Sequence, residues 1–200
     1  CSVSWHRCRL VVEFVVDFLI ILLTPLSPLF LFFLMIRRPP RSTLFPYTTL
    51  FRLLGWVTDA AGYRYQPTHP VTGQAWPDIP EVLLRLWAEL ADPLIPPDAC
   101  LVNLYRDGAR MGLHQDRDEA DFSLPVLSVS LGDTAIFRIG GVSRRDRTTS
   151  VRLASGDVCL LAGPARLAHH GIDRIVAGSS RLIPGGGRIN LTLRRAGPKA

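Results

Sequence analysis

The stretch Arg188-Ile189-Asn190-Leu191-Thr192-Leu193-Arg194 alternates strictly between polar and apolar residues. Successive side chains of a β-strand point to opposite faces, so this stretch predicts a strand with one wholly apolar face and one wholly polar face. Two interpretations of the polar face remain open. It is either a solvent-exposed edge, or an inward face on which two arginines converge on an anion, because the planar guanidinium binds a carboxylate bidentately.

Short apolar runs with a similar rhythm occur upstream of this strand. Val102 and Leu104 point one way, while Asn103 and Tyr105 point the other. Two Gly-Asp pairs, Gly132-Asp133 and Gly156-Asp157, mark turns between the runs. The candidate strands are 100–105, 111–115, 126–131, 134–139, 149–153, 157–162, 169–175 and 188–194. Many short strands at this spacing predict a mainly β domain built as a sandwich, jelly roll or barrel.

One helix is expected in front of these strands, over about residues 80–91. Pro80 suits the first turn, Glu81 complements the helix dipole, and apolar residues recur at helical spacing up to Leu90. Pro93 then ends the helix. With this flanking helix the fold class is α+β, dominated by strands.

A His-Gln-Asp sequence over residues 114–116 is the main candidate for a metal site. At i and i+2 on a strand, His114 and Asp116 project from the same face, where they can share a metal ion. A second histidine would complete the facial triad of non-haem Fe(II) oxygenases. His169 and His170 are both candidates, and adjacent strand residues point in opposite directions, so only one of them joins the site. The alternative for His114 is a histidine in a surface turn.

Composition narrows the class of protein. The chain has 200 residues, of which 48% are hydrophobic and 20% charged, so wholesale disorder is excluded and one ordinary domain is expected. The net charge of +6 is concentrated in residues 1–52, so charge alone supports nucleic-acid binding only weakly. No CxxC pair is present, which argues against a zinc ribbon or a disulfide-built secreted module. The cysteines are Cys1, Cys8, Cys100 and Cys159.

Residues 1–52 differ from the rest of the chain. Residues 10–36 are almost wholly apolar and long enough for a transmembrane helix, but two acidic residues lie inside this run. Residues 32–52 resemble a translated sequencing-adapter read. We therefore expect residues 1–52 to be a foreign leader rather than a membrane anchor, and residues 53–200 to form the functional domain.

A series of motifs between about Leu54 and Gly197 occurs in a specific order. The motifs are Leu54-Gly55-Trp56, Gly62-Tyr63-Arg64-Tyr65, Ala75-Trp76-Pro77, Asn103-Leu104-Tyr105, residues 114–119, residues 128–132, Gly156-Asp157-Val158, His170-Gly171-Ile172 and residues 188–194. Together they resemble the AlkB family of Fe(II)- and 2-oxoglutarate-dependent dioxygenases, in particular its bacterial DNA-repair members. The resemblance implies a double-stranded β-helix, or jelly-roll, core.

The resemblance also implies residue roles. The iron ligands would be His114, Asp116 and His170, the last chosen over His169 because it precedes Gly-Ile. Arg188 and Arg194 would hold the two carboxylates of 2-oxoglutarate, with Arg194 at the carboxylate far from the iron. Further hydrogen bonds to 2-oxoglutarate would come from Asn103, Tyr105 and Asn190. The expected substrate-binding residues are Trp56, Tyr63, Arg64, Tyr65, Asp118 and Arg144.

The activity that the resemblance implies is oxidative dealkylation of bases such as 1-methyladenine and 3-methylcytosine. The methyl group is hydroxylated and leaves as formaldehyde, while O2 is consumed and 2-oxoglutarate becomes succinate and CO2. We expect a cytoplasmic monomer that acts on alkylated single- or double-stranded DNA, with base flipping and without an obligate protein partner. RNA or protein as the substrate, and a non-catalytic jelly-roll binding module, are the alternatives. The leader stands where relatives carry part of a nucleotide-recognition lid, so weaker substrate binding is expected.

Overall fold

The computed structural model describes residues 4–7, 47–51, 54–59, 62–106 and 108–197. The apolar run 10–36 lies outside these residues, and so does most of the adapter-like segment. Among the residues described, no helix has the length and apolar composition needed to cross a membrane.

The described elements follow one another in the chain as strands with one helix after the fourth strand. They are β1 (Ser4–Arg7), β2 (Tyr47–Phe51), β3 (Gly55–Asp59), β4 (Gly62–Gln66), α1 (Glu81–Leu90), β5 (Ala99–Tyr105), β6 (Met111–His114), β7 (Val126–Gly132), β8 (Thr134–Ile139), β9 (Thr149–Leu153), β10 (Asp157–Leu161), β11 (His170–Val176) and β12 (Arg188–Arg194). A short 3-10 helix, Gly163–Ala165, precedes β11. The ends of every predicted strand, and of the predicted helix, agree with these bounds to within one residue.

Two antiparallel sheets form the body of the domain. The major sheet has the strand order β1-β10-β7-β12-β5-β2, and the minor sheet has the order β6-β11-β8-β9. Most neighbours in the sheets are distant in the chain, as in a jelly roll, so the predicted fold class is confirmed. A separate hairpin pairs β3 with β4. Neither β3 nor β4 was predicted, because each has only five residues and neither contains a long apolar run.

Two strands of the expected leader take part in the major sheet. β1 pairs with β10 at one edge, and β2 pairs with β5 at the other. The division of the chain at residue 52 therefore stays a prediction.

β12 lies in the interior of the major sheet, with β5 on one side and β7 on the other. All seven of its residues are buried. The interpretation of its polar face as a solvent-exposed edge is therefore wrong. The apolar face, including Leu191 and Leu193, packs with Leu83, Leu86 and Trp87 of α1. The polar face consequently points into the interior on the side away from α1.

A buried carboxylate fixes the start of β12. Asp133, which follows β7, accepts hydrogen bonds from the backbone N–H groups of Ser180 (2.9 Å) and Gly187 (3.0 Å). Gly132 has a φ of 84°, and a Cβ there would lie 2.5 Å from the carbonyl oxygen of Gly187. The loop before β12 is thus held against the end of β7, and this sets where Arg188 enters the interior.

Candidate metal centre and anion pocket

Three potential metal ligands meet where β6 pairs with β11. His114 ends β6, His170 begins β11, and the two residues are register partners. The Nε2 atoms of His114 and His170 lie 3.9 Å and 3.6 Å from the carboxylate oxygens of Asp116. One ligand atom of each residue lies within 4.8 Å of those of the other two. The structure brings the predicted triad together, with His170 rather than His169 as its third member.

Backbone carbonyls orient both imidazoles. Nδ1 of His114 lies 3.0 Å from the carbonyl oxygen of Gly112, and Nδ1 of His170 lies 2.9 Å from that of Ala168. Because a carbonyl oxygen only accepts, we place the proton of each ring on Nδ1. The lone pair of Nε2 is then left for a metal ion.

The close approach of β6 and β11 depends on a glycine. A Cβ at Gly171 would lie 2.6 Å from the carbonyl oxygen of Met111 and 2.8 Å from that of Gly112. Any side chain there would push the two strands apart. The ring centroids of His114 and His170 are 4.5 Å apart, a distance that this packing permits.

Electrostatics favours the forms of these groups that bind a cation. Burial raises the pKa of Asp116, but Arg194 and the two histidines together lower it by more, to about 2. Burial lowers the pKa of His170 below its usual value. At neutral pH the site therefore offers a carboxylate and a neutral buried imidazole, and a set of two imidazoles with one carboxylate suits Fe(II).

Arg188 is a buried cation that has no acidic partner among the described residues. Only 1% of its surface is exposed. Its Nη2 donates to Oγ of Ser130 (3.0 Å) and to Oδ1 of Asn190 (2.7 Å), and its guanidinium carbon lies 5.4 Å from the centre of the Tyr105 ring. Nε and Nη1 have no hydrogen-bond partner in the described part of the chain. Because a buried cation needs a counter-charge, these donors point to a bound anion.

Smaller polar side chains lie beside Arg188. Asn190 accepts a hydrogen bond from Oγ of Ser128 (2.8 Å) and donates one to Oγ1 of Thr192 (2.7 Å). Asn103 is the register partner of Asn190 on β5 and is also buried. The predicted 2-oxoglutarate residues of β5 and β12 therefore share one buried polar wall.

Arg194 lies at the end of this wall nearest the triad. Its Nη1 is 3.2 Å from Oδ1 of Asp116 and donates to Oε1 of Glu119 at 2.7 Å. Glu119 also accepts from Nη2 of Arg166 at 3.0 Å. Arg188 makes none of these contacts. This arrangement is the reverse of the expected order, in which Arg194 is the arginine distant from the metal.

The β3–β4 hairpin contacts the segment that carries Asp116. Nε1 of Trp56 donates to Oδ2 of Asp118 at 3.0 Å, and the hydroxyl of Tyr65 lies 3.4 Å from both Oε1 of Glu119 and Nη1 of Arg194. Three of the predicted substrate-binding residues thus lie beside the triad segment.

The other predicted substrate-binding residues are Arg64, Tyr63 and Arg144. Nε of Arg64 donates to Oε1 of Gln66 within the hairpin (2.9 Å), and the side chain of Tyr63 lies outside the described residues. Arg144 is exposed in the loop between β8 and β9. That loop is tied to the triad segment, because Nε2 of Gln115 donates to the carbonyl oxygen of Val142 (3.1 Å).

Comparisons with known proteins identify the family. The sequence profile of the 2OG-Fe(II) oxygenase superfamily matches residues 36–194. The chain is 44% identical over 150 residues to the alpha-ketoglutarate-dependent dioxygenase AlkB of Escherichia coli (strain K12), a match that covers 73% of this chain and 69% of that protein. The chain belongs to the AlkB family.

Two further comparisons agree with this conclusion. The chain is 74% identical over 143 residues to the alpha-ketoglutarate-dependent dioxygenase AlkB homolog of Caulobacter vibrioides, with 72% of this chain and 65% of the relative covered. The chain therefore spans about two thirds of the length of these relatives. A solved structure titled "The structure of OsALKBH1" superposes with a TM-score of 0.67 at 34% identity, over 80% of this chain and 83% of that one.

AlkB-family membership implies Fe(II) and 2-oxoglutarate, and the residues present fit both. The donor set of two imidazoles and one carboxylate fits Fe(II). The unpaired donors of Arg188 and the polar wall beside them fit a dicarboxylate.

Four side chains of this region had no predicted role: Glu119, Arg166, Ser128 and Ser130. The serines alternate with the apolar residues of β7, as the polar residues of β12 do, and this pattern could have placed them on the same wall. Arg166 lies in no strand and gave no comparable signal.

Proposed function

We propose that the protein is an Fe(II)- and 2-oxoglutarate-dependent dioxygenase that removes alkyl groups oxidatively from nucleobases in DNA. The observation that carries the proposal is the buried Arg188, whose unpaired donors share one polar strand face with Arg194 beside a His-Asp-His triad. A site that bound only a metal ion would not need a buried arginine such as Arg188, which has no acidic partner among the described residues. A metal centre joined to a dicarboxylate pocket is what a 2-oxoglutarate oxygenase requires.

The proposed substrates are bases methylated on a ring nitrogen, such as 1-methyladenine and 3-methylcytosine. When bound, iron supplies the activation of O2, and one oxygen atom goes to the methyl group while the other goes to 2-oxoglutarate, which becomes succinate and CO2. The hydroxymethyl group then leaves the base as formaldehyde. The chain's own residues bind the cosubstrate, orient the base and limit the access of water.

At the cosubstrate end, Arg188, whose Nε and Nη1 have no hydrogen-bond partner among the described residues, binds the far carboxylate of 2-oxoglutarate. Tyr105, Asn103 and Asn190 line this part of the pocket. Arg194 lies beside the metal ligands and neutralises negative charge there, which reverses the order expected from the sequence. His114 and His170 present Nε2 to the metal because their Nδ1 atoms donate to backbone carbonyls.

At the substrate end, the β3–β4 hairpin and the segment after Asp116 receive the base. A base inside a duplex cannot reach the triad, so the protein acts on single strands or on a flipped base. Trp56 offers an indole for stacking, and Asp118 beside it accepts from an exocyclic amino group. Arg144 contacts a phosphate. The hairpin also contacts the nucleotide through Tyr63, Arg64 and Tyr65.

We expect the protein to work in the cytoplasm as a monomer, with residues 53–200 as the catalytic domain. Alkylated DNA is the proposed partner. RNA stays as the alternative nucleic acid, since no contact described for the site distinguishes the two sugars.

The test uses the full chain with Fe(II), 2-oxoglutarate and a single-stranded DNA oligonucleotide that carries one 1-methyladenine. Mass spectrometry of the oligonucleotide should show loss of the methyl group only when both cofactors are present. An Asp116→Ala variant should be inactive because it lacks the carboxylate ligand. A folded, metal-loaded wild-type protein that leaves 1-methyladenine, 3-methylcytosine and the corresponding RNA unchanged would overturn the proposal.

A further inference from the structure

Glu119 is a buried carboxylate that the proposed reaction does not use. Its side chain is fully shielded from solvent. Oε1 accepts a hydrogen bond from Nη1 of Arg194 at 2.7 Å, and Oε2 accepts one from Nη2 of Arg166 at 3.0 Å. Glu119 therefore lies between two buried arginines, one of which borders the metal ligands.

Two carboxylates compete for the guanidinium of Arg194. Nη1 lies 2.7 Å from Glu119 but 3.2 Å from Oδ1 of Asp116. The lone pairs of a carboxylate are shared between its partners, so a guanidinium bound closely to Asp116 would occupy sites that a metal ion needs. The position of Arg194 between these two acids therefore bears on the availability of a metal ligand.

Arg166 holds Glu119 in place for this competition. Its Nε donates to the carbonyl oxygen of Leu124 (2.8 Å) and its Nη1 to that of Asp116 (2.9 Å), while Nη2 binds Glu119. Arg166 is itself 2% exposed. The side chain of Arg166 thus links the two ends of the segment from Asp116 to Leu124. It also fixes the position of the Glu119 carboxylate relative to Asp116.

We propose that Glu119 is a positioning residue that holds Arg194 away from Asp116, so that the carboxylate of Asp116 stays available to the metal ion. The inference rests on the proposed metal-binding role of Asp116. Without the charge of Glu119, Asp116 is the only acidic side chain that Arg194 contacts among the described residues. Arg194 then closes on Asp116 as a tight ion pair, and metal affinity falls.

Metal affinity is measured by calorimetry with Mn(II) added to the full chain in the absence of 2-oxoglutarate. Glu119→Gln keeps the shape and one of the two accepting oxygens but removes the charge, and it should weaken Mn(II) binding about tenfold or more. Glu89→Gln removes an acid from the exposed face of α1 and should leave Mn(II) binding unchanged.

The double variant Glu119→Gln/Arg194→Gln separates positioning from a general structural role. It removes the competing guanidinium as well, so Mn(II) affinity should return to within about threefold of the wild type. If Glu119→Gln binds Mn(II) like the wild type, or if the double variant binds as weakly as the single one, the proposal is overturned.

Arg194→Gln alone keeps the proposal testable if Glu119→Gln does not fold, as judged by circular dichroism. This variant should bind Mn(II) at least as tightly as the wild type, and weaker binding would refute the competition. A wild-type protein that binds no Mn(II) would instead refute the proposed metal centre. Wild-type binding with no effect of any variant would refute only the role of Glu119.

Discussion

Arg188 and Arg194 share one face of β12, but only Arg194 has acidic neighbours in the described part of the chain. Arg194 contacts Asp116 and Glu119, whereas Arg188 is fully enclosed by neutral groups and has two donors without partners. This asymmetry gives the polar wall two different ends. One end is already neutralised beside the metal ligands, and the other requires a negatively charged group from a ligand.

The first prediction concerns Arg188. The Arg188→Met variant should lose the thermal stabilisation that 2-oxoglutarate gives the wild type, because the far carboxylate loses its charged partner. At a 2-oxoglutarate concentration of 100 times Kd, the wild type should gain about 2.7 kcal/mol. Differential scanning fluorimetry with Mn(II) present measures both responses.

An exposed arginine on β9 provides the matched control for this experiment. Arg152→Met should respond to 2-oxoglutarate like the wild type. An Arg188→Met protein that keeps the full response would show that the dicarboxylate binds elsewhere.

The second prediction concerns the packing of β6 against β11. In Gly171→Ala the new methyl group meets the carbonyl oxygens of Met111 and Gly112, so the strands must separate and the two imidazoles must move apart. Mn(II) affinity should fall by at least tenfold. Gly112→Ala is the control, since a Cβ at Gly112 meets nothing within 4 Å. Equal Mn(II) affinity of the two variants would contradict this explanation of the triad geometry.

Much of this architecture could be predicted from residue patterns. The alternation in 188–194 predicts a strand with a polar face, and i, i+2 spacing predicts that His114 and Asp116 share a side. Whether the polar face of β12 lies at an edge or in the interior depends on which strands pair with it, and a local pattern does not contain that information.

The choice between His169 and His170, and the order of the two arginines, are decided by long-range contacts. His170 joins the triad because β11 pairs with β6 in a register that places it opposite His114. Arg194 lies beside Asp116 because Glu119, in the segment after β6, binds both Arg194 and Arg166. The residue types alone do not determine which histidine joins the triad or which arginine lies beside Asp116.

The third prediction concerns the hairpin and the nucleic acid. Trp56→Ala should weaken binding of a single-stranded oligonucleotide with one 1-methyladenine by at least tenfold, because a stacking contact is worth about 1–3 kcal/mol. Trp56→Phe keeps an aromatic face and loses the donor to Asp118, so most of the affinity should remain. Fluorescence anisotropy with Mn(II) in place of Fe(II) measures binding without turnover.

The Michaelis constant for 2-oxoglutarate provides the control for Trp56. It should be unchanged in both variants, since Trp56 lies on the β3–β4 hairpin, outside the sheet that carries the polar wall. Equal DNA affinity of Trp56→Ala and the wild type would remove Trp56 from the substrate site.

The fourth prediction is that stability falls at alkaline pH. Burial raises the pKa of both Cys100 and Cys159 to about 12, from a usual value of about 9. Between these values the native state keeps protons that the unfolded chain has released, so the free energy of unfolding decreases as pH rises from 9 towards 12. Below pH 9 both states are protonated and this contribution does not change.

Urea unfolding at pH 7.5, 9.0 and 10.5 measures this dependence. The Cys159→Ala variant should be less stable overall but should lose stability less steeply above pH 9, because one shifted thiol is missing. The same steepness in the variant and the wild type would show that Cys159 is accessible to ionisation in the folded protein.

We propose that the triad and the polar wall act together on two substrates in one reaction. The most direct measurement compares the succinate formed with the methyl groups lost from a 1-methyladenine oligonucleotide, for the full chain with Fe(II). We expect equal amounts in the wild type and neither product in Asp116→Ala. Methyl loss that continues without 2-oxoglutarate, or in Asp116→Ala, would contradict it.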